Sequence, residues 1–333
     1  MKRALYLFLV AILLTAAVYF LRSGRETAPG PVPEMLAELP SDAPLILYAD
    51  LAALRVSPLV EQLAALAVPA QQDPEFVAFV SQTGFDYARD LDRVAVALRP
   101  SPQASGHGGS VQVIAEGRLD RKKIAAYALR TGRKEVQDNR EVYIVPGTRP
   151  GASISFTFLE PNRIAIADTP QLPPFATGTP DAELQEHVTR VAGSAVFVVG
   201  RAKALPAGLA TFGWQSDQLD TLVRSLRWYS IAARPLEDRV RIVLDAECDS
   251  PENARQLSGV LDGLRMLAQV ALADPNTRRR MQPAALALAD SLLRSADISR
   301  SDTTVRMMFE LTGKEISRAL ALPSSDTTPP RKK

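Results

Sequence analysis

Metal-binding and nucleophilic side chains are scarce in this chain of 333 residues, which has one cysteine, Cys248, and two histidines, His107 and His187. A single cysteine excludes a disulfide within the chain. Neither the Cys-x-x-Cys nor the His-Glu-x-x-His spacing of zinc sites occurs. We therefore expect no metal and no cofactor, and no residue is assigned a catalytic role.

An excess of charge of either sign is also missing, since 39 Lys and Arg side chains face 37 Asp and Glu side chains. A net charge of +2 creates no long-range field that would attract nucleic acid, so we do not expect nucleic acid as a partner. A local cationic run, Arg278, Arg279 and Arg280, lies between two predicted helices and is a candidate contact for an anionic surface. Helix-end complementarity with ordinary solvation is the alternative explanation.

The amino terminus contains a long apolar run. Lys2 and Arg3 precede 18 uncharged residues, 4–21, and Arg22 follows them. At about 1.5 Å per residue these nearly match a hydrocarbon core of about 30 Å. The run predicts a transmembrane signal anchor at 1–22 in a single-pass inner-membrane protein, with the bulk of the chain periplasmic. A cleaved signal peptide is the alternative, although Ala16 and Ala17 come too early for its small-x-small cleavage site.

The rest of the chain divides by composition. A flexible tether rich in Pro and Gly is expected at 23–40, and a disordered tail at 323–333. Between them we predict a first α+β module at 41–170, a linker and connecting helix at 171–188, and a second α+β module at 189–322. The predicted fold class is α+β, an N-terminal transmembrane helix followed by two similar strand-helix-strand-strand-helix-strand modules with mainly antiparallel sheets.

The stretch "VRIVLDAECD" holds the single cysteine among carboxylates. Alternation along a strand places Cys248 in an apolar row that begins at Val240, while Asp245 and Glu247 belong to the other face. Asp249 ends the strand and begins a helix. We interpret Cys248 as a buried structural residue; the alternative, a nucleophile, would need a neighbouring base.

The helix predicted to follow carries an apolar stripe expected to face the core. Leu257, Val260, Leu261 and Leu264 have the i, i+3, i+4, i+7 spacing, and Leu267 and Ala271 continue it. His187 lies on a similar stripe in an earlier helix, which predicts a half-buried structural histidine.

Aromatic residues are few, and three of them suggest a possible apolar pocket: Phe212, Trp214 and Trp228. Ordinary packing of large rings in the core is the alternative. His107 lies in a glycine-rich hairpin loop, where a solvated side chain is expected.

Three stretches, "LPSDAPLILYADLAAL", "FDYARDLDRVAVAL" and "DSPENARQLSGVLDGL", together with the apolar amino terminus, resemble a group of uncharacterised bacterial envelope proteins, N-terminally anchored and carrying a duplicated α+β domain of unknown function. The resemblance covers most of residues 39–321. It implies a bacterial envelope setting and no catalytic residues.

These features favour a membrane-anchored extracytoplasmic protein that binds or scaffolds a partner rather than an enzyme. The expected partners are the membrane, through the N-terminal helix, and an envelope protein or a lipid. A carrier of a lipid or other apolar ligand is one alternative, and an enzyme with a site assembled from distant loops is another. The oligomeric state stays open.

Overall fold

A computed structural model describes residues 31–55, 74–100, 109–147, 151–159, 162–173, 175, 181–204, 224–236 and 239–315. The predicted anchor at 1–22 lies outside these residues. Among the helices within the described ranges, none combines the length and apolar composition that a membrane crossing needs.

The described part of the chain forms a single antiparallel sheet. Its strands are β1 Leu45–Asp50, β2 Leu91–Pro100, β3 Gly109–Gly117, β4 Arg133–Gln137, β5 Arg140–Pro146, β6 Ser153–Phe158, β7 Arg163–Ala167, β8 Val196–Arg201, β9 Leu226–Pro235, β10 Arg239–Cys248, β11 Asp297–Ser301 and β12 Thr304–Thr312. The 12 strands run in the order β11-β12-β10-β9-β8-β1-β2-β3-β7-β6-β5-β4.

Helices connect and cover the strands. The described ones are α1 Leu51–Arg55, α2 Pro74–Thr83, α3 Tyr87–Asp90, α4 Arg121–Thr131, α5 Ala182–Val191, α6 Pro251–Ala273, α7 Pro275–Arg280 and α8 Pro283–Ser295, with 3-10 helices at Glu34–Glu38 and Ala202–Ala204.

The prediction of two similar strand-helix-strand-strand-helix-strand modules is wrong, because one antiparallel sheet runs through both halves. β1 pairs with β2 on one side and with β8 on the other, where Leu45 faces Gly200 and Ala49 faces Val196. Both β1 and β8 are almost entirely buried. A strand buried on both faces needs a hydrogen-bonded neighbour at each edge, and each half supplies that neighbour to the other.

The two faces of the sheet carry different helices. We call the side with Tyr48 and Phe197 the front face, where Leu184 and Val188 of α5 pack against these rings. The opposite side is the back face. There α2 and α4 cover the strands of the first half, and α6 and α8 cover those of the second half.

Part of the expected tether belongs to the fold. Of 23–40, residues from 31 on are described, and the 3-10 helix there places Met35 against the front face. Met35 and Leu39 are each 1% exposed. This segment is therefore packed rather than flexible.

Candidate binding surface

Helix α6 is built to start firmly on the sheet. The Ser250 side chain accepts a hydrogen bond from the Asn253 backbone N–H at 3.2 Å, and Pro251 occupies the first turn. The following Ala254 and Leu257 are buried against Cys248. The first third of the helix is thus fixed to the back face.

The far end of α6 exposes apolar side chains instead. The helix has 23 residues and is about 35 Å long. Met266, Leu267 and Val270 are 62%, 67% and 69% exposed. Positions 266 and 270 are one turn apart and 267 is adjacent, so the three side chains form one apolar patch.

The cationic run lies directly beyond this patch. Asp274 ends α6 and caps α7, accepting a hydrogen bond from the Thr277 backbone N–H at 2.8 Å. Arg278 Nη1 donates to the Leu272 carbonyl oxygen at 3.1 Å, which ties α7 to the end of α6. Because α7 is only six residues, about 9 Å long, its arginines lie within a few turns of Val270.

All three arginines of α7 face solvent, and they differ in their ion pairs. Arg279 and Arg280 are exposed, and neither forms an ion pair within the described ranges. Arg278 is also exposed, and its Nη1 atom lies 3.7 Å from Asp290 Oδ2. We call Met266, Leu267 and Val270 with Arg278–Arg280 the α6–α7 patch.

The sequence located the arginines but missed the apolar half of the patch. Leu267 was assigned to the core stripe of α6, and that assignment is wrong. The signal was present in "MLAQVALA", where apolar residues surround the helix instead of keeping to one stripe. Periodicity shows which side of a helix can be buried, whereas the extent of the sheet decides how far along the helix burial continues.

The structure describes only one of the three aromatic residues that suggested an apolar pocket. Phe212 and Trp214 lie outside the described residues. Trp228 is 1% exposed on the front face, its ring 4.6 Å from the His187 ring and 4.6 Å from the Arg201 guanidinium carbon. Its ring is enclosed by these neighbours and lines no open cleft.

His187 belongs to a polar network under α5. It is 8% exposed, which agrees with its prediction as a structural residue, and its Nε2 atom lies 3.6 Å from Glu247 Oε2. Burial lowers the pKa of His187, and the Glu247 carboxylate partly opposes this effect. Arg190 and Arg227 approach the same carboxylate at 3.3 Å and 3.6 Å. The network ties α5 to β9 and β10.

Cys248 is the buried strand residue that the alternation predicted. It is 1% exposed and packs with Ala254 and Val305. Burial raises the pKa of its thiol to about 11, and the carboxylates of Asp249 and Glu247 add to this. A thiol that holds its proton so firmly is a poor nucleophile at neutral pH.

One detail of this strand end is corrected. The cap of α6 is Ser250, whereas Asp249 accepts a hydrogen bond from the Asn253 side-chain amide. A bulge between Glu247 and Cys248 shifts the register there.

Charged residues on the front face of β10 and β12 are paired with one another. Arg306 donates to Asp245 through Nε and Nη2 at 2.7 and 2.9 Å, and Arg241 Nε donates to Glu310 at 2.9 Å. In the part of the chain that the structure covers, no group of three His, Cys, Asp or Glu side chains is arranged to hold a metal.

A small cleft lies between the β4–β5 hairpin and the residues Leu172, Pro173 and Phe175, with a volume of about 10 Å³. That is about the space of one water molecule, so this cleft is no site for a lipid.

No family model and no curated protein matches the chain. Three crystal forms of the protein TP0453 are weakly similar in structure. Form I has a TM-score of 0.39 and 10% identity, covering 89% of this chain and 99% of that chain. Forms IV and III have TM-scores of 0.40 and 0.41 with 10% and 9% identity, each covering 89% of this chain and 98% of the other. Similarity at this level supports no conclusion about the fold or function of this chain.

Proposed function

We propose that the protein is a membrane-anchored, extracytoplasmic binding or scaffold protein of the cell envelope. The observation that carries the proposal is the exposed apolar end of α6, next to three arginines. The apolar run at 4–21 supplies the expected anchor, with the amino terminus in the cytoplasm and the folded part in the periplasm.

Exposed apolar residues that cluster on a folded domain mark interaction sites. Leu267 and Val270 lie on a helix whose other end is firmly packed, so they are presented on a fixed support. The ion pairs across β10 and β12 cover the opposite side with charge that is already paired. The α6–α7 patch is therefore the surface of the described chain best suited to a partner.

The anchor is tested by fractionating cells that produce the full chain. We expect the protein to stay in the membrane pellet after alkaline carbonate extraction. Replacing two residues of the run, Leu9→Arg with Leu13→Arg, should release it, since a charge in the middle of a membrane helix opposes insertion by about 2.5–3.5 kcal/mol per residue. Extraction of the unmodified chain would refute the anchor.

The topology is tested with a membrane-impermeant maleimide on intact spheroplasts. Asp302 is exposed at the β11–β12 turn, so the Asp302→Cys variant presents a reactive thiol there. We expect labelling of this variant and none of the unmodified chain, whose Cys248 is buried. Labelling that requires lysis would place the folded part in the cytoplasm.

A further inference from the structure

We infer that the α6–α7 patch is a contact site for the surface of an anionic lipid bilayer. This deepens the proposed function, on which it rests, by naming what the patch binds. The folded part would then lie against the membrane that holds its anchor, with the end of α6 at the lipid interface.

The apolar half of the patch has the exposure expected of a helix face that contacts the membrane interface. Its three large side chains, Met266, Leu267 and Val270, are each more than 60% exposed. Helices that lie on a membrane bury such a face about 5–10 Å deep, at the boundary of headgroups and acyl chains. Ala254 and Leu257 pack near the start of α6, so contact of the three side chains with lipid would leave that packing unchanged.

The cationic half supplies charge complementarity to anionic headgroups. From residue 264 to residue 286 the chain carries four arginines and one acidic residue, Asp274. The Asp274 carboxylate accepts hydrogen bonds from the backbone N–H and hydroxyl of Thr277, so it is occupied by the cap of α7. Arg279 and Arg280 keep exposed guanidinium groups within reach of phosphate oxygens.

A protein partner suits the patch less well. Interface cores between proteins are enriched in aromatic residues and depleted of charge. Residues 266–273 include no aromatic side chain, and the neighbouring α7 carries three consecutive like charges. Aliphatic residues beside clustered arginines are typical of surfaces that contact anionic membranes.

The test places an environment-sensitive fluorophore on the full chain reconstituted in vesicles that contain brominated lipid. Leu267→Cys carries the probe in the patch, and Gln185→Cys on the front-face helix α5 is the matched control, since both positions are exposed. The unmodified chain is the labelling blank because Cys248 is buried. We expect bromine quenching at 267 in phosphatidylglycerol vesicles and none at 185.

Charge is tested by Arg279→Gln with Arg280→Gln in the Leu267→Cys chain; Arg278 is retained because it holds the α6–α7 junction. Each arginine near an anionic surface strengthens membrane binding by about fivefold, so removing two of them should lower the ratio of docked to undocked protein by roughly thirtyfold. Lys122→Gln with Arg130→Gln removes the same charge from the exposed side of α4 and should leave quenching unchanged.

Equal quenching at 267 and 185 would overturn the inference. So would quenching at 267 that is as strong in neutral phosphatidylcholine as in anionic vesicles, or a photo-crosslinker at Met266 that captures a protein and leaves the 267 probe unquenched. Carbonate extraction of the same vesicles separates the two hypotheses. If the chain is retained but the 267 probe is not quenched, only the lipid-contact inference is refuted. If the chain is extracted although the 267 probe is quenched, only the anchor is refuted.

Discussion

Reaction of the native protein with an aromatic disulfide reagent at pH 8 tests the packing between β10 and α6. Cys248 is 1% exposed beneath Ala254 and Leu257 of α6, so the reagent reaches sulfur only after this contact opens. We expect a reaction much slower than that of the same thiol in the unfolded chain.

For a thiol that reacts without any opening of the contact, the expected slowing of the reaction relative to the unfolded chain follows from the thiol pKa. Burial raises the pKa of Cys248 from 9.0 to about 11. At pH 8 the thiolate fraction then falls from roughly a tenth to roughly a thousandth, which slows the reaction by about a hundredfold, because only the thiolate attacks. Reaction through an opened state, in which the thiol regains its ordinary pKa, is slowed by the opening equilibrium in place of this factor.

The assay compares the rate of thiolate release from the reagent for native protein and for protein unfolded in guanidinium chloride. The Asp302→Cys variant is the control, since its added thiol is exposed and should react at the ordinary rate in the native state. Native Cys248 that reacted within about tenfold of the unfolded rate would refute both the raised pKa and the buried position.

The remaining predictions concern stability. Lowering the pH below about 6.5 should destabilise the fold through His187, because burial lowers the pKa of its imidazole in the folded state and the unfolded chain therefore binds the extra proton. In urea titrations, His187→Gln should flatten the dependence of the unfolding free energy on pH. An unchanged dependence on pH in the variant would contradict the reasoning. Trp228→Ala should cost about 3–5 kcal/mol of unfolding free energy, since the ring is 1% exposed, and a loss under about 1 kcal/mol would mean that the ring is not packed. Ser250→Ala should cost about 0.5–2 kcal/mol through the lost cap of α6, against a smaller effect for Ser258→Ala within the same helix; equal effects would exclude the capping role.

The loss of folding stability at acidic pH has its physical origin in the burial of the His187 imidazole, which disfavours the protonated form. The charged groups that act on the imidazole are Arg190, Glu186 and Glu183 on its own helix and Glu247 on β10. Arg227 on β9 approaches the Glu247 carboxylate. Arg190 is near enough to oppose protonation, whereas Glu247 favours it, and desolvation outweighs both. The direction of the pH effect therefore depends on α5 staying packed against the sheet.

Local features of this fold followed from neighbouring residues. Alternation along "VRIVLDAEC" placed Cys248 in the apolar row, and the helical stripe around His187 placed that side chain against the sheet. The Thr312–Glu315 capping box is also formed as its spacing predicts, with Glu315 accepting from the Thr312 backbone N–H at 2.7 Å. Each of these depends on contacts within one element or one strand pair.

The sequence predicted only part of the α6–α7 patch, because the rest of the patch depends on contacts between distant elements. The run of Arg278–Arg280 is visible in the sequence, but its placement between two helices was wrong, since the three arginines form the last turn of the short helix α7. Its apolar neighbour Leu267 had been expected inside but is 67% exposed, because a helical stripe carries no information on where the covering sheet ends. Trp228 was considered for a pocket, yet its neighbours His187 and Arg201 come from separate elements that only the fold brings together.

The sequence by itself therefore determined the apolar row of β10 that holds Cys248, the side of α5 that holds His187 and the Thr312–Glu315 capping box, because these depend on side-chain spacing and hydrogen bonds only a few residues apart. Only the tertiary structure decided that β1 and β8 join the two halves into one sheet, and that α6 ends in an exposed apolar patch beside the arginines of α7. The first outcome depends on strand edges that meet across more than a hundred residues of chain, and the second depends on where the sheet beneath α6 ends.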